Sequence, residues 1–361
     1  MSTQTLAAIS QGRVNSITFF RLVAAWAVIY SHAFVITRST ERDWLGTITH
    51  YAHFGGLAVD FFFLLSGFLV CGSIKSSGVF RYSASRVLRL FPGLWFNLFI
   101  VVFVLGGIVT TMPLKEYLTH AQTWRYLSQI GLGMGSEWTL PGVFTGNRYD
   151  SMNGSIWSVI VEIRMYLYLA VAYMLGVLRN RVIFNVVFAL ISLLVWTETI
   201  HIPGVAGATD VHVALLFALG CFLYMNKELV TVSPTFVLSA VAIALVSIGT
   251  PNFQFGYILI LVCLFILLAF MPTFSWVDRI GDYSYGVYLW GWPVQQTLVL
   301  IWPEQSQITN ALGAIVISTI LAAISWHWIE RPMLSLKRFL RPRQQAYHRD
   351  GQTEQLSGMR G

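Results

Sequence analysis

The chain holds 361 residues, of which 56% are hydrophobic and only 11% charged, with a net charge of +7. Soluble domains carry roughly 25% charged residues, so this composition excludes a soluble fold and points to an integral membrane protein. The three cysteines, Cys71, Cys221 and Cys263, all sit in apolar runs, and an odd number implies no disulfide framework.

The first 16 residues are polar, and the apolar run after them is full length and interrupted by Arg21. No cleavable signal is therefore expected. A helix needs about 20 apolar residues to cross a bilayer. Runs of that kind fall at 17–36, 54–71, 91–112, 155–178, 182–199, 211–226, 234–249, 255–271, 285–302 and 309–330. The expected fold is all-α: a polytopic membrane helix bundle of about ten transmembrane helices. The amino terminus, the even-to-odd connections and the carboxyl tail hold 16 of the 23 Lys and Arg, and the opposite connections hold five. The positive-inside bias then puts both termini in the cytoplasm. Residues 1–16 read as a cytoplasmic segment, 17–333 as one transmembrane domain and 334–361 as a basic cytoplasmic tail. The connection from Pro113 to Asn153 is longer than a turn needs, which marks a lid or binding loop. Its "GLGMG" has no preceding strand and carries no weight as a phosphate cradle.

Several spans carry residues that hydrocarbon rejects, and these are functional candidates by default. Arg21 and His32 are eleven residues apart. On a helix that spacing puts both on one face, ~16 Å apart along the axis. Asp60 in the second span and Glu162 in the fourth lie at the depth of His32, so the three are expected to meet. A carboxylate beside an imidazole fixes its tautomer and raises its basicity, as a general base requires. The competing reading is a structural ion pair, with Arg164 neutralising Glu162. In "SRVLRLFPGLWF", Arg86 and Arg89 are one helical turn apart and suited to gripping a phosphate, with Pro92 in the first turn of the third span. Arginine at a cytoplasmic helix end is also what topology alone demands.

These residues, taken together, resemble the acyltransferase-3 family of ten-helix membrane acyltransferases. The resemblance runs over 17–333 and rests on R-x10-H in the first span, "GLAVDFFFLLSGF", "RVLRLFP", "NGSIWSVIVEIRMYL", "YSYGVYLW" and "SWHWIERP". It implies transfer of an acyl group, usually acetyl, from cytoplasmic acyl-coenzyme A to a hydroxyl of a surface or exported glycan. It matches His32 to the family's essential histidine, Arg21 to its partner arginine, Glu162 to the acidic residue of the fourth span, and Arg86 and Arg89 to the basic pair. Acetyl-CoA is then the donor, held by Arg86, Arg89 and Arg21, with no metal and no nucleic acid expected. Asp60 joins the catalytic set, and Asn153, Ser155 and Trp157 at the outer mouth are the acceptor candidates, Trp157 as a sugar-stacking platform. His32 deprotonates the hydroxyl, or else carries the acyl group itself. The cytoplasmic (inner) membrane is the expected location, among its lipids. One departure stands out: "YLWGWP" places Gly291 where the family has a histidine, and a histidine restored there is expected to be tolerated. A secondary transporter or glycan exporter is the rival class, but transporters commonly show two related halves, and none is visible here.

Overall fold

The computed structural model describes residues 3–11, 15–37, 39–135 and 137–340. Arg13, Arg38 and the basic residues from 341 onward, which include most of the expected tail, lie outside them. The long helices are α1 (Ile17–Ile36), α2 (Phe54–Phe99), α3 (Ile156–Met174), α4 (Arg181–Trp196), α5 (Gly207–Met225), α6 (Pro234–Ser247), α7 (Phe253–Ala269), α8 (Ser284–Ile301) and α9 (Gln307–Ser325). Every apolar run read from the sequence is helical. Among the described residues, five helical stretches are long and apolar enough to cross a membrane by length and composition, while α4, α6 and α7 are shorter apolar helices.

The second and third runs form one helical stretch of 56 residues, Phe54–Val109. At 1.5 Å per residue this is ~84 Å, far beyond a bilayer's hydrocarbon thickness. It breaks once, at Gly78, where φ is 75° and ψ is 166°, a backbone open to glycine. The chain there doubles back: Phe54 N–H bonds Asp43, Lys75 reaches the Leu178 carbonyl, and Thr110 bonds the Pro141 carbonyl. Pro92 thus sits inside a helix rather than at its start, because the turn falls at Gly78 and residues 79–90 are already helical.

Helix α8 is the axis of the bundle. Every residue from Ser284 to Gln296 is buried, and the polar Gln295 and Gln296 are hydrogen-bonded within the fold. Its Pro293 lacks the N–H that would bond the Leu289 carbonyl. That carbonyl accepts instead from Asn153 Nδ2 at 2.9 Å. Helices α2 and α5 pack at backbone contact: a Cβ on Gly67 would stand 2.0 Å from the Phe217 carbonyl oxygen, and one on Gly220 2.1 Å from that of Leu64.

The segment expected as a lid or binding loop carries helices of its own. It holds the helices Leu114–Thr119 and Ala121–Gly131 and buries Tyr117, Tyr126, Leu140, Phe144 and Met152. The amino-terminal residues are also ordered, since strand Gln4–Thr5 pairs antiparallel with Thr231–Val232. At the other end of the chain, helical backbone continues from Arg331 to Leu340, past the expected start of the tail.

Candidate active site

The ionisable residues inside the helices sort into two groups at opposite ends of the bundle. At the end that carries Lys75, Arg89 and Asp282, a cavity of about 110 Å³ is lined by Arg21, Arg86, Arg89, Ser66, Glu162 and Tyr166. At the other end, a cavity of about 580 Å³ is lined by His32, His53, Asp60, Trp157, His212 and Tyr257. A neighbouring cavity of about 350 Å³ also has His32 in its wall, with Arg148 and Tyr149 of the folded outer segment. Val59 and Tyr288 line both the first cavity and the second, so a single residue layer divides them. Tyr288 is fixed in that layer: its hydroxyl donates to the Ser155 carbonyl at 3.0 Å and shares a hydrogen bond with Ser158 Oγ.

Arg21 and His32 therefore open to different cavities from one helix. His32, Asp60 and Glu162 do not meet. Glu162 lies in the basic cavity, where its Oε1 accepts from Ser66 Oγ at 2.8 Å and from Tyr166 Oη. Asp60 shares the cavity of His32, but its Oδ2 accepts from Tyr257 Oη at 2.6 Å and pairs with His212 Nε2 at 2.9 Å. Helix α1 crosses the bundle beside α8, and the His32 ring meets Trp292 edge-on at 5.0 Å between centroids. The His32 Nδ1 is buried and has no hydrogen-bond partner among the described residues. Arg164 does not neutralise Glu162; its guanidinium donates to the carbonyls of Gly204 and Met134.

The arginines divide as well. Arg21 Nη1 and Arg89 Nη2 each lie 2.6 Å from Asp282 Oδ2, so one carboxylate holds both. Burial pushes the Asp282 carboxyl up, but the two guanidiniums and the Ser284 hydrogen bonds outweigh it and hold the group down at about 2. Among the described residues Arg86 pairs with no carboxylate: it lies 5.7 Å over the Tyr166 ring, and its Nε is buried without a partner there. Arg86 is thus the guanidinium left available to an incoming anion. Sequence reasoning missed Asp282, because the two arginines it holds lie far from it along the chain.

Of the acceptor candidates, Asn153 and Ser155 are buried, and the Asn153 side chain is spent within the fold. Asn153 supplies the bond that Pro293 denies Leu289, and its Oδ1 accepts from Ser155 N–H at 3.1 Å to start α3. Trp157 keeps its place in the wall of the outer cavity. Gly291 faces α1: a Cβ there would stand 2.7 Å from Ile29 Cγ1. A side chain at 291 therefore has to push Ile29 aside, which weighs against the expectation that histidine is tolerated there.

His53 caps α2, its Nδ1 accepting from Gly56 N–H at 3.0 Å and lying 3.0 Å from Ser31 Oγ, which itself donates to Asp43 at 2.8 Å. This network pins the connection between α1 and α2 over the His32 cavity. The arrangement as a whole offers an anion site at one end, an imidazole at the other and a thin partition between them. That is what a reaction joining reagents from two sides of a membrane needs.

Comparison with known proteins adds a second line. A family model described as an acyltransferase domain matches residues 14–327. The chain is similar to an O-acetyl transferase of Shigella phage Sf6, at 26% identity over 332 residues, 87% of this chain and 94% of that protein. It is also similar to nodulation protein 10 of Rhizobium leguminosarum bv. viciae, at 27% over 379 residues, 92% and 96% of the two chains. A putative peptidoglycan O-acetyltransferase of Bacillus subtilis (strain 168) matches at 25% over 349 residues, 80% of this chain and 53% of that one. No solved structure matches.

Proposed function

We propose, for a chain that belongs to the acyltransferase-3 family and is an acyltransferase, that it moves an acetyl group from cytoplasmic acetyl-CoA to a hydroxyl of a surface or exported polysaccharide. The observation that carries this reading is the pair of cavities divided by Val59 and Tyr288. The chain crosses the cytoplasmic membrane about ten times, and the end bearing Arg86 and Asp282 faces the cytoplasm by its charge. Two of the relatives carry O-acetyl transfer in their names, one of them with peptidoglycan as acceptor, which supports acetyl as the acyl group and a glycan as its destination.

The chemistry follows from the residues. Arg86, open-handed beside Tyr166, takes a phosphate of the donor, and a charge-assisted bond of that kind contributes about 1.5–3 kcal/mol. The thin pantetheine arm passes Tyr288 and brings the thioester into the outer cavity. His32 removes the proton of the acceptor hydroxyl as its oxygen attacks the thioester carbonyl carbon. The new C–O bond forms, the C–S bond breaks, and the proton passes from His32 to the departing thiolate. Trp157 offers a stacking face to the sugar ring.

The full chain, purified in detergent and given labelled acetyl-CoA with unacylated surface polysaccharide from cells lacking the gene, tests the assignment. His32→Ala is expected to lower transfer on the order of 10²-fold or more at near-normal membrane abundance. Wild-type transfer by that variant overturns the role given to His32.

A further inference from the structure

Three imidazoles line the outer cavity: His32, His53 and His212. Only His212 is backed by a carboxylate. Its Nε2 lies 2.9 Å from Asp60 Oδ2, and that oxygen also accepts from Tyr257 Oη at 2.6 Å. The Asp60 side chain is 8% exposed and that of His212 35%, so the carboxylate is inside the wall and the imidazole stands in the cavity. A carboxylate that accepts the Nε2 proton leaves Nδ1 as the lone-pair nitrogen of a neutral ring. His212 Nδ1 has no partner among the described residues and is not among the buried unsatisfied atoms, so it is open to the cavity. His53, by contrast, spends its Nδ1 on the cap of α2.

We propose that His212 is a hydroxyl-recognition residue for the acceptor: Nδ1 accepts a hydrogen bond from a sugar hydroxyl next to the one that is acylated, and Asp60 with Tyr257 fixes its tautomer and direction. The ligand class is a polyol, held by an acceptor nitrogen on one wall and the Trp157 face on another. This makes Asp60 a positioning residue acting through His212 rather than a partner of His32. The inference rests on the glycan reading above and sharpens it, since a second recognised hydroxyl sets which sugar and which position are used. Leaving a site's hydrogen-bond acceptor unpaired is how an analogue lacking that hydroxyl is rejected.

Two substitutions separate recognition from mere structure. Gln carries an amide nitrogen where His carries Nε2, so His212→Gln keeps the bond to Asp60 and loses the cavity acceptor. Asn carries an amide oxygen near the place of Nδ1, so His212→Asn keeps the acceptor and loses the bond to Asp60. The acceptor probe is the unacylated surface polysaccharide from cells lacking the gene, titrated against the full chain in detergent with saturating labelled acetyl-CoA. His212→Gln is expected to raise the KM for the polysaccharide tenfold or more, and His212→Asn to raise it less, with the Kd for acetyl-CoA unchanged in both. A wild-type KM in His212→Gln overturns the proposal, because it shows that only the bond to Asp60 matters. So does loss of membrane abundance in both variants, which makes the residue a packing element. If wild type hydrolyses acetyl-CoA yet leaves the polysaccharide unacylated, the glycan reading itself falls and takes this subsite with it.

Discussion

Arg21, Arg86 and Arg89 are alike in sequence and unlike in place. Two are committed to Asp282 and one has no carboxylate partner among the described residues, so their substitutions have different consequences. Arg86→Ala is expected to weaken acetyl-CoA binding roughly tenfold without lowering stability, and Arg86→Lys to restore it only in part, since an ammonium lacks the planar fork. Arg89→Ala removes one of the two cations on Asp282, so it is expected to lower the melting temperature with little change in donor affinity. Calorimetric titration with coenzyme A and a melting curve on each variant distinguish the two. The Asp282 carboxyl is held at about 2, below its unfolded value, so its ionised form contributes stability above the unfolded pKa, and that contribution is lost as the pH falls through the folded one. The purified protein is expected to keep its melting temperature down to about pH 4 and to lose it between there and pH 2, while Asp282→Asn, already lacking the charge, loses much less over that window. Helix-face geometry made Arg21 and His32 legible as a pair on one helix. Their partners were not legible, because those come from remote stretches: Asp282 before α8, Asp60 joined to His212 of α5. The signal for His212 was present, an ionisable residue in an apolar run, and is the one that singled out His32.

At the scale of helices, apolar length located the elements well and close packing poorly. The runs at 54–71 and 91–112 are both helical, but the turn between them is one glycine, Gly78, because an amphipathic segment can continue a helix that an apolar-run count ends. Contacts between helices hinge on which glycines face a neighbour, and sequence alone does not say. Gly220 touches the α2 backbone, so Gly220→Ala is expected to cost about 1–3 kcal/mol of overpacking strain and to lower membrane abundance. Gly291→His should behave in the same way by driving α1 away through Ile29, and the loss should appear in the melting curve as well as in activity. A stable, fully active Gly291→His protein would show that α1 can yield at Ile29.

The whole molecule is an arrangement of ends. The amino-terminal strand, Lys75, Arg89, Asp282 and the backbone around Thr231 gather at one, and the folded 113–153 segment, His32 and Gly204 at the other. Charge bias along the sequence put Lys75 and Arg89 in one group before any contact was known, and Asp282 joins them as the counter-ion. The partition of Val59 and Tyr288 has a further consequence. Two polar-lined cavities set back to back approach the layout of an ion pore, which a membrane holding a proton gradient cannot tolerate. Tyr288 is clamped by the Ser155 carbonyl and Ser158, and in the function proposed above it is expected to act as an electrical insulator as well as a boundary between reagents. In sealed vesicles holding a pH-sensitive dye, wild type should hold an imposed gradient and Tyr288→Ala should let it collapse, whereas a gradient held by the variant would show that the seal lies elsewhere.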